Sequence, residues 1–423
     1  MKKWILSLSF FWMAWSAQAQ ERVGLSACYE AARSNYPLLK QKDMQAQIAA
    51  LQVLNLQKVR QLPQLTLNGQ ASWQNEVTQI PISLPNLNIE SLSRDQYRLT
   101  LDASYLLFDG QASTLQAQVQ QANGAVEQQK VEVELYKLRQ QVNAIYFAVL
   151  LGDKTIAQLN LTKEDLQKKL DQVNVTVKNG AVLQSNADQI KSEILKTEQK
   201  ITEAKSLKHA YVKSLSMLIN DTLDAENVLL QTPSEGSQIP FYNISQRPDL
   251  ILLQQQQVNL EAMKGLTKAK TTPKFGAFAQ LGYSKPGLDP FSTIFDPYYL
   301  AGLKLSWNIW NWNASKNERQ IYSIQQDMLD QQMETLDVNV KLQAIQQQEE
   351  MTKLRTLIEQ DQQLIDLRKK ISKTASTQVD NGVITVTDYL AQVNAEYQAE
   401  LSLTTHQLQL AYAYVNYETT LGK

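Results

Sequence analysis

Apolar residues recur at steps of three and four along one very long stretch of the chain. Residues 111–178 include no proline and only two glycines. A continuous helix of that length would measure about 100 Å, at 1.5 Å rise per residue. The steps predict a narrow apolar stripe of the coiled-coil kind on an otherwise polar helix. The stripe comprises Leu115, Val119, Ala122, Val126, Leu135, Leu138, Val142, Ile145, Val149, Leu166, Leu170, Val173 and Val177.

A second stretch of the same kind covers residues 316–379, which contain neither proline nor glycine. Both stretches run into an Asn-Gly pair, Asn179-Gly180 in the first and Asn381-Gly382 in the second. Asn-Gly favours a positive φ and ends a helix sharply, and apolar spacing resumes after each pair. The sequence therefore predicts two antiparallel helical hairpins with Asn-Gly at their tips.

Between the helices the period of the apolar positions changes from 3.6 to 2. Four such segments are predicted as strands, and their lengths suit tilted strands that cross a membrane. Four strands of a soluble sandwich are the alternative, because period 2 alone does not separate the two. The predicted strands cover residues 64–74, 96–108, 274–284 and 298–310.

The tryptophans favour the membrane interpretation. Four of the seven lie in these strands or in the turn after the last one. With alternate strand directions, Trp73 falls at one rim of the sheet and Trp307, Trp310 and Trp312 at the other. Interfacial tryptophans concentrate at the two rims of membrane barrels, so these residues predict two aromatic girdles.

The order of helices and strands occurs twice in the chain. Equivalent landmarks are 210 positions apart before the strands (Leu62 and Thr272) and 202 apart after them (Phe108 and Trp310). A constant offset that changes only between two strands indicates a duplicated unit. The predicted organisation is a signal peptide at 1–19, a first repeat at 20–220, a linker at 221–246 and a second repeat at 247–423.

The first residues are typical of a secretory signal. Lys2 and Lys3 precede an apolar run that is too short to span a bilayer, and Ala17-Gln18-Ala19 supplies a cleavage site. Cys28, the only cysteine, follows a sequence that resembles a lipid-attachment box. However, polar residues separate that box from the apolar run, so Cys28 is interpreted as a buried helix residue and lipidation as the weaker alternative.

Composition points away from enzymes and from nucleic acid. Without Lys2 and Lys3 the chain carries 39 basic and 42 acidic residues, which is no basic excess. His209 and His406 do not occupy equivalent repeat positions, and no catalytic motif is present. We therefore expect no catalytic residue, no metal, no cofactor and no nucleic-acid partner.

Four membrane strands cannot stand alone. Hydrocarbon offers no hydrogen-bond partner to a sheet edge, so a spanning sheet must close, which takes at least eight strands. Two copies would give eight strands and three would give twelve, and an eight-stranded barrel has a filled interior. The predicted fold is therefore a mixed α and β membrane protein, in which a transmembrane β-barrel continues into a long α-helical coiled-coil barrel.

The doubled pattern resembles the TolC-like outer-membrane efflux protein family over essentially the whole mature chain. The motifs that carry the resemblance are Arg247-Pro248-Asp249-Leu250, Leu62-Pro63, Thr272-Pro273, Phe108-Asp109-Gly110 and Asn381-Gly382 followed by Asp388-Tyr389-Leu390-Ala391. The resemblance implies a homotrimer with twelve barrel strands in the outer membrane of a Gram-negative bacterium. It also implies a periplasmic tunnel that meets a periplasmic adaptor (membrane fusion) protein and an inner-membrane pump.

In this family the helix tips form the inner mouth of the tunnel, where the adaptor docks and an acidic ring lies. Gly180 and Gly382 match the turns, and Asp388 matches one acidic position of the ring. The second acidic position falls on Ala391, and the tyrosine and arginine of the gate fall on Val379 and Ile384. Asp388 is equally interpretable as a carboxylate that stabilises the start of a helix.

The implied function is passive conduction of small molecules or secreted polypeptides through a tripartite export system. The alternative from another class is a periplasmic coiled-coil adaptor or scaffold, whose strands would form a soluble β domain. A wide, wet tunnel has little specificity of its own, so the sequence identifies neither the cargo nor the particular pump and adaptor.

Overall fold

A computed structural model describes residues 23–77, 93–233, 240–289 and 294–423. The predicted signal peptide lies outside these residues. The predicted mixed fold, mostly helical with four strands, is confirmed. In chain order the elements are α1 (Leu25–Asn35), α2 (Leu38–Gln61), β1 (Gln64–Trp73), β2 (Asp95–Phe108), α3 (Ala112–Lys178), α4 (Gln184–Ile219), α5 (Pro248–Leu266), a 3-10 segment (Thr267–Thr271), β3 (Lys274–Lys285), β4 (Asp296–Ser306), α6 (Ala314–Asp380) and α7 (Val386–Thr420).

The two long helices have the same length. Both α3 and α6 contain 67 residues, and each boundary of α6 lies 202 positions after that of α3. At 1.5 Å per residue each measures about 100 Å. The stripe predicted on α3 is buried where other helices cover it, and Val142, Val149 and Leu166 are at most 1% exposed. Each long helix packs along the helix that follows its tip, α3 on α4 and α6 on α7.

The four strands form one antiparallel sheet in the order β1-β2-β3-β4. The register places Leu101 opposite both Leu67 and Leu281, so odd-numbered residues of the paired strands share one face. That face is apolar and exposed, with Leu67 at 68% and Leu303 at 80%. The opposite, even-numbered face carries most of the polar side chains.

The last strand ends earlier than predicted. Its final pair joins Ser306 to Lys274, where β3 begins, so residues 307–310 have no neighbouring strand to pair with. Trp307 instead donates its indole N–H to the carbonyl of Thr271, 3.0 Å away. The prediction of a strand over 298–310 was therefore wrong at its end, because strand length depends on the partner as well as on the alternation.

The helices nearest the sheet follow the same order as the strands. Helix α2 leads into β1, α3 follows β2, α5 leads towards β3, and α6 follows β4. Among these helices the extensive contacts are α2 with α3, α3 with α5, and α5 with α6. One protomer is therefore a row of neighbouring elements whose two flanks are α2 with β1 and α6 with β4.

The turns from strand to long helix have the same backbone conformation in both repeats. Gly110 and Gln111 have φ values of 66° and 68°, and Trp312 and Asn313, which are 202 positions further on, have 53° and 62°. Two consecutive left-handed residues thus redirect the chain after β2 and after β4. Only one of the four is a glycine, the residue for which this region costs least.

The lone cysteine lies in the largest apolar core. Cys28 is 1% exposed and packs in a cluster with residues of α3, α4 and α7. Burial raises the pKa of its thiol to about 11. The interpretation of Cys28 as an ordinary buried helix residue is confirmed.

Candidate tunnel mouth and sheet faces

Both helical hairpins turn at their tips through the same hydrogen-bonded motif. The N–H of Gly180 bonds to the carbonyl of Val177, and the N–H of Ala181 bonds to that of Thr176. Gly382 and Val383 make the equivalent bonds. This is a Schellman motif, in which the glycine takes the left-handed conformation.

The glycines, and not the asparagines, carry the positive φ at the tips. Gly180 has φ of 72° and Gly382 has 69°, whereas Asn179 and Asn381 have −81° and −94°. The expectation that Asn-Gly ends each helix is met, with the asparagine as the final cap residue. The side chain of Asn381 also donates to the carbonyl of Thr377, 2.8 Å away, and so satisfies a helix-end acceptor.

Asp388 lies in the first turn of α7 and forms a capping box with Thr385. Its backbone N–H donates to the Thr385 hydroxyl oxygen at 3.1 Å, and its carboxylate accepts from the Thr385 backbone N–H at 3.2 Å. The Thr385 hydroxyl also lies 2.7 Å from the carboxylate. These bonds hold the pKa of the exposed Asp388 carboxyl below its ordinary value. The structure thus supports the helix-start role and leaves the charge open to solvent.

The two positions that the resemblance assigns to the gate are apolar and packed. Val379 and Ile384 lie against a buried cluster that includes Val386 and Tyr389. No polar latch can form there. Ala391, at the second acidic position, is an exposed residue without charge. Among the four positions 379, 384, 388 and 391, Asp388 is therefore the charged one.

A charged contact that the sequence analysis missed joins the two hairpins close to the tips. Lys169 on α3 is 4% exposed, and its ammonium lies 2.8 Å from the carboxylate of Asp380 at the end of α6. It also donates to the hydroxyl and carbonyl of Ser376, at 3.0 and 3.1 Å. The ring of Tyr389 lies 5.0 Å below it. The sequence contained one sign of this contact, because Lys169 lies on the apolar stripe of α3 between Leu166 and Val173.

The polar face of the sheet carries a second network that the sequence did not reveal. Asp102 on β2 accepts hydrogen bonds from Asn68, Thr100 and Gln280, which lie on β1, β2 and β3. The register brings these residues together across three strands. This face is therefore a connected polar surface, and Thr100 within it is only 3% exposed.

The predicted girdle residues lie at the two rims of the sheet. Trp73 ends β1 and is 68% exposed, on the rim far from the helices. Trp307, Trp310 and Trp312 follow β4 on the near rim, with exposures of 53%, 65% and 83%. The rings of Trp310 and Trp312 meet edge to face, 6.1 Å apart.

The described residues contain neither a candidate metal site nor a candidate membrane-spanning helix. Within those ranges no three His, Cys, Asp or Glu side chains come together as a metal site. No described helix is both long enough and apolar enough to cross a bilayer.

Comparisons with known proteins agree with the fold and match the second half of the chain to one family. Residues 243–423 match the family model of the outer membrane efflux protein. No curated protein matches the chain significantly by sequence.

Solved structures of outer-membrane channels share the architecture over nearly the whole chain. CusC has a TM-score of 0.69 and 16% identity, with 96% of this chain and 95% of CusC covered. The outer membrane channel CmeC of Campylobacter jejuni has a TM-score of 0.65 and 16% identity, with 94% and 85% covered.

VceC, an outer membrane protein of Vibrio cholerae, has a TM-score of 0.66 and 13% identity, with 94% of this chain and 96% of VceC covered. The family model and the shared channel fold exclude the adaptor alternative. Residues 243–423 thus match the outer membrane efflux protein family, and nearly the whole chain has the fold of solved outer-membrane channels.

Proposed function

We propose that three copies of this chain close side by side into one continuous pipe through the outer membrane and into the periplasm. The observation that carries this proposal is the pair of incomplete flanks on one protomer. β1 and β4 are edge strands, and their outer hydrogen-bonding groups lack a strand partner within the described sheet. In hydrocarbon such edges must pair, and β4 of one copy is antiparallel to β1 of the next.

The helices on the same flanks also expose apolar side chains. Helix α2 has no buried residue, and its Met44, Ile48 and Leu51 are 47–58% exposed. Helix α6 exposes Ile324 and Met328 at 51% and 56% on the opposite flank. Apolar stripes at helical spacing bury themselves against a partner, so α2 of one copy fits α6 of its neighbour.

The number of copies follows from the width of the pipe. An eight-stranded barrel has an interior filled by side chains, so two copies would block conduction. Three copies supply twelve strands and leave a bore.

The two faces of the sheet then meet different surroundings. The polar face that contains Asp102 lines the water-filled bore, and the face that contains Leu303 meets lipid. Trp73 on one side and Trp307, Trp310 and Trp312 on the other form the two aromatic girdles at the membrane surfaces.

At the other end, the tips at Asn179, Gly180, Asn381 and Gly382 form the periplasmic entrance. Efflux proteins of this family work with adaptors and inner-membrane pumps, and the tips are the surface offered to the adaptor. Three copies of Asp388 near the axis would give a ring of negative charge, which favours cations. The pipe conducts small molecules or secreted polypeptides passively. Within each chain, the duplicated repeats at 20–220 and 247–423 are joined by the linker at 221–246.

Crosslinking between flanks tests the assembly. Leu51 and Ile324 each lie about 15 Å along their helices from the helix end that adjoins the sheet. A Leu51→Cys/Ile324→Cys protein treated with a flexible bismaleimide should give a ladder that stops at three chains. Met44→Cys/Leu51→Cys has both cysteines on one flank and is the matched control, for which no ladder is expected. A monodisperse monomer that conducts ions in planar bilayers would contradict the proposal.

A further inference from the structure

Basic residues are concentrated where the helices meet the sheet. We call this end of the sheet the inner rim, and four segments adjoin it. They contain seven basic residues and three acidic ones. The chain as a whole has nearly equal numbers, 41 and 42. The four segments are residues 58–62, 109–119, 261–273 and 310–320.

The opposite rim has the reverse balance. Its described segments contain two basic residues and four acidic ones. The positive charge is therefore a property of the inner rim and not of both ends of the sheet. These outer segments are residues 73–77, 93–96, 284–289 and 294–297.

Most of the basic side chains at the inner rim are exposed and form no ion pair within the described residues. Six exposed basic residues make up what we call the basic collar, and only Lys270 among them has a carboxylate within ion-pair distance in the described chain, that of Glu318 at 2.7 Å. Arg60 donates to the hydroxyl of Thr114 at 3.1 Å, and the Arg319 side chain donates to a backbone carbonyl. The collar consists of Lys58, Arg60, Lys268, Lys270, Lys316 and Arg319.

The collar adjoins the aromatic residues of the apolar face. The indole of Trp307, on that face, donates to the carbonyl of Thr271, and this bond ties it to the 3-10 segment that carries Lys268 and Lys270. Trp312, the most exposed of the four described tryptophans at 83%, lies four residues before Lys316. Cations therefore follow directly on an exposed aromatic surface.

Along the sheet towards the helices, the apolar face is followed by aromatic residues and then by cations. The same order of polarity is found from the middle of a lipid bilayer to its surface. Acyl chains meet the apolar face, tryptophans lie at the interface, and phosphates lie just beyond it, where juxtamembrane lysine and arginine attract anionic headgroups. We infer that the basic collar binds the headgroups of anionic phospholipid, such as phosphatidylglycerol, in the leaflet that faces the periplasm. This inference rests on the proposed membrane placement of the sheet and not on the number of copies.

Lipid enrichment around the full-length protein tests the inference. The protein would be placed in lipid discs of phosphatidylcholine with a minor fraction of phosphatidylglycerol, extracted gently, and its retained lipids measured by mass spectrometry. The wild-type protein should retain phosphatidylglycerol in excess over the disc composition. The test variant is Lys58→Gln/Arg60→Gln/Lys268→Gln/Lys316→Gln, and the enrichment should fall at least about fivefold, because each juxtamembrane cation contributes to the attraction.

The matched control removes the same charge far from the rim, with Lys40→Gln/Lys341→Gln/Lys370→Gln/Lys373→Gln, and should keep the enrichment. Added salt should lower the wild-type enrichment and leave that of the collar variant nearly unchanged. Equal enrichment in wild type and collar variant would overturn the inference while leaving the channel proposal intact. A protein that never enters the discs would overturn both.

Discussion

Lys169 and Asp380 form an ion pair between the long helix of the first repeat and that of the second, 211 positions apart in sequence. The lysine is almost completely buried, while the aspartate is half exposed. Because the two residues belong to different hairpins, the pair fixes the position of one tip relative to the other. It lies close to the helix tips, where the neighbouring Val379 and Ile384 are apolar.

Removal of Asp380 should loosen this end of the protein. Asp380→Ala leaves the buried ammonium of Lys169 with the two oxygens of Ser376 and the ring of Tyr389. The change should cost about 1–2 kcal/mol, less than the loss of a fully buried pair, because Asp380 is half exposed. Hydrogen exchange at residues near the tips should rise. Glu164→Ala removes a pair with Lys168 in which both side chains are over 60% exposed, and it should change little. Equal effects of the two changes would show that the buried pair has no special role.

The two faces of β2 should respond differently to an added charge. Leu101→Arg places a guanidinium on the apolar face, where it costs about 2–4 kcal/mol at mid-membrane. Ser104→Arg places the same group on the polar face of the same strand, at an exposed position. The first change should reduce the amount of protein recovered from outer membranes, and the second should not. Similar recovery of both variants would refute the assigned faces.

Asp388 should influence ion selectivity down to unusually low pH. Its lowered pKa keeps the carboxylate charged below the ordinary value of 3.8, and the charge is lost only as the pH falls through the lowered pKa. Asp388→Asn should reduce cation selectivity and weaken block by multivalent cations at neutral pH. Reversal potentials in planar bilayers measure this effect.

Thr385→Ala provides the control for the same prediction. It removes the hydroxyl that holds the Asp388 carboxylate, so the pKa should rise towards its ordinary value. Selectivity should then be normal at neutral pH and be lost at a higher pH than in the wild-type protein. Reversal potentials that do not change in Asp388→Asn would leave Asp388 as a helix-start residue alone.

Gly180 and Gly382 should be required because of their left-handed backbone conformation, and not because a side chain at these positions would clash with neighbouring atoms. A Cβ added at Gly382 or Gly180 would meet no atom within 4 Å. The left-handed conformation alone should make Gly382→Ala cost about 1–2 kcal/mol. Thermal unfolding and hydrogen exchange of the tip should detect this. The neighbouring change Val383→Ala, at an exposed residue with ordinary φ, should be nearly neutral, and a similar loss in both would contradict the argument.

The ends of the long helices at the tips could be predicted from this sequence because an Asn-Gly pair follows each of them. The predicted stretches 111–178 and 316–379 differ from α3 and α6 by no more than two residues at any end. The strand faces were also predictable, since alternation needs only the chain itself. The end of β4 was not, because it is set where β3 begins, at Lys274.

Contacts between the repeats escaped prediction for a related reason. Gln280 meets Asp102 only because β2 pairs with β3, which joins the first repeat to the second. Thr100 could be assigned to the polar face, but its burial depends on neighbours from other strands. Sequence spacing places residues on a face of one element, and it carries no information on which distant element covers that face.

The paired left-handed turns bear on how the molecule arose. Gly110 and Trp312 occupy the same place in the two repeats and the same region of backbone space, although the side chains are the smallest and the largest available. A non-glycine residue pays about 1–3 kcal/mol for that region. The two repeats thus adopt the left-handed φ both with and without the amino acid that suits it best. The shared left-handed conformation is therefore a mark of the duplication that does not depend on the side chains at these two positions.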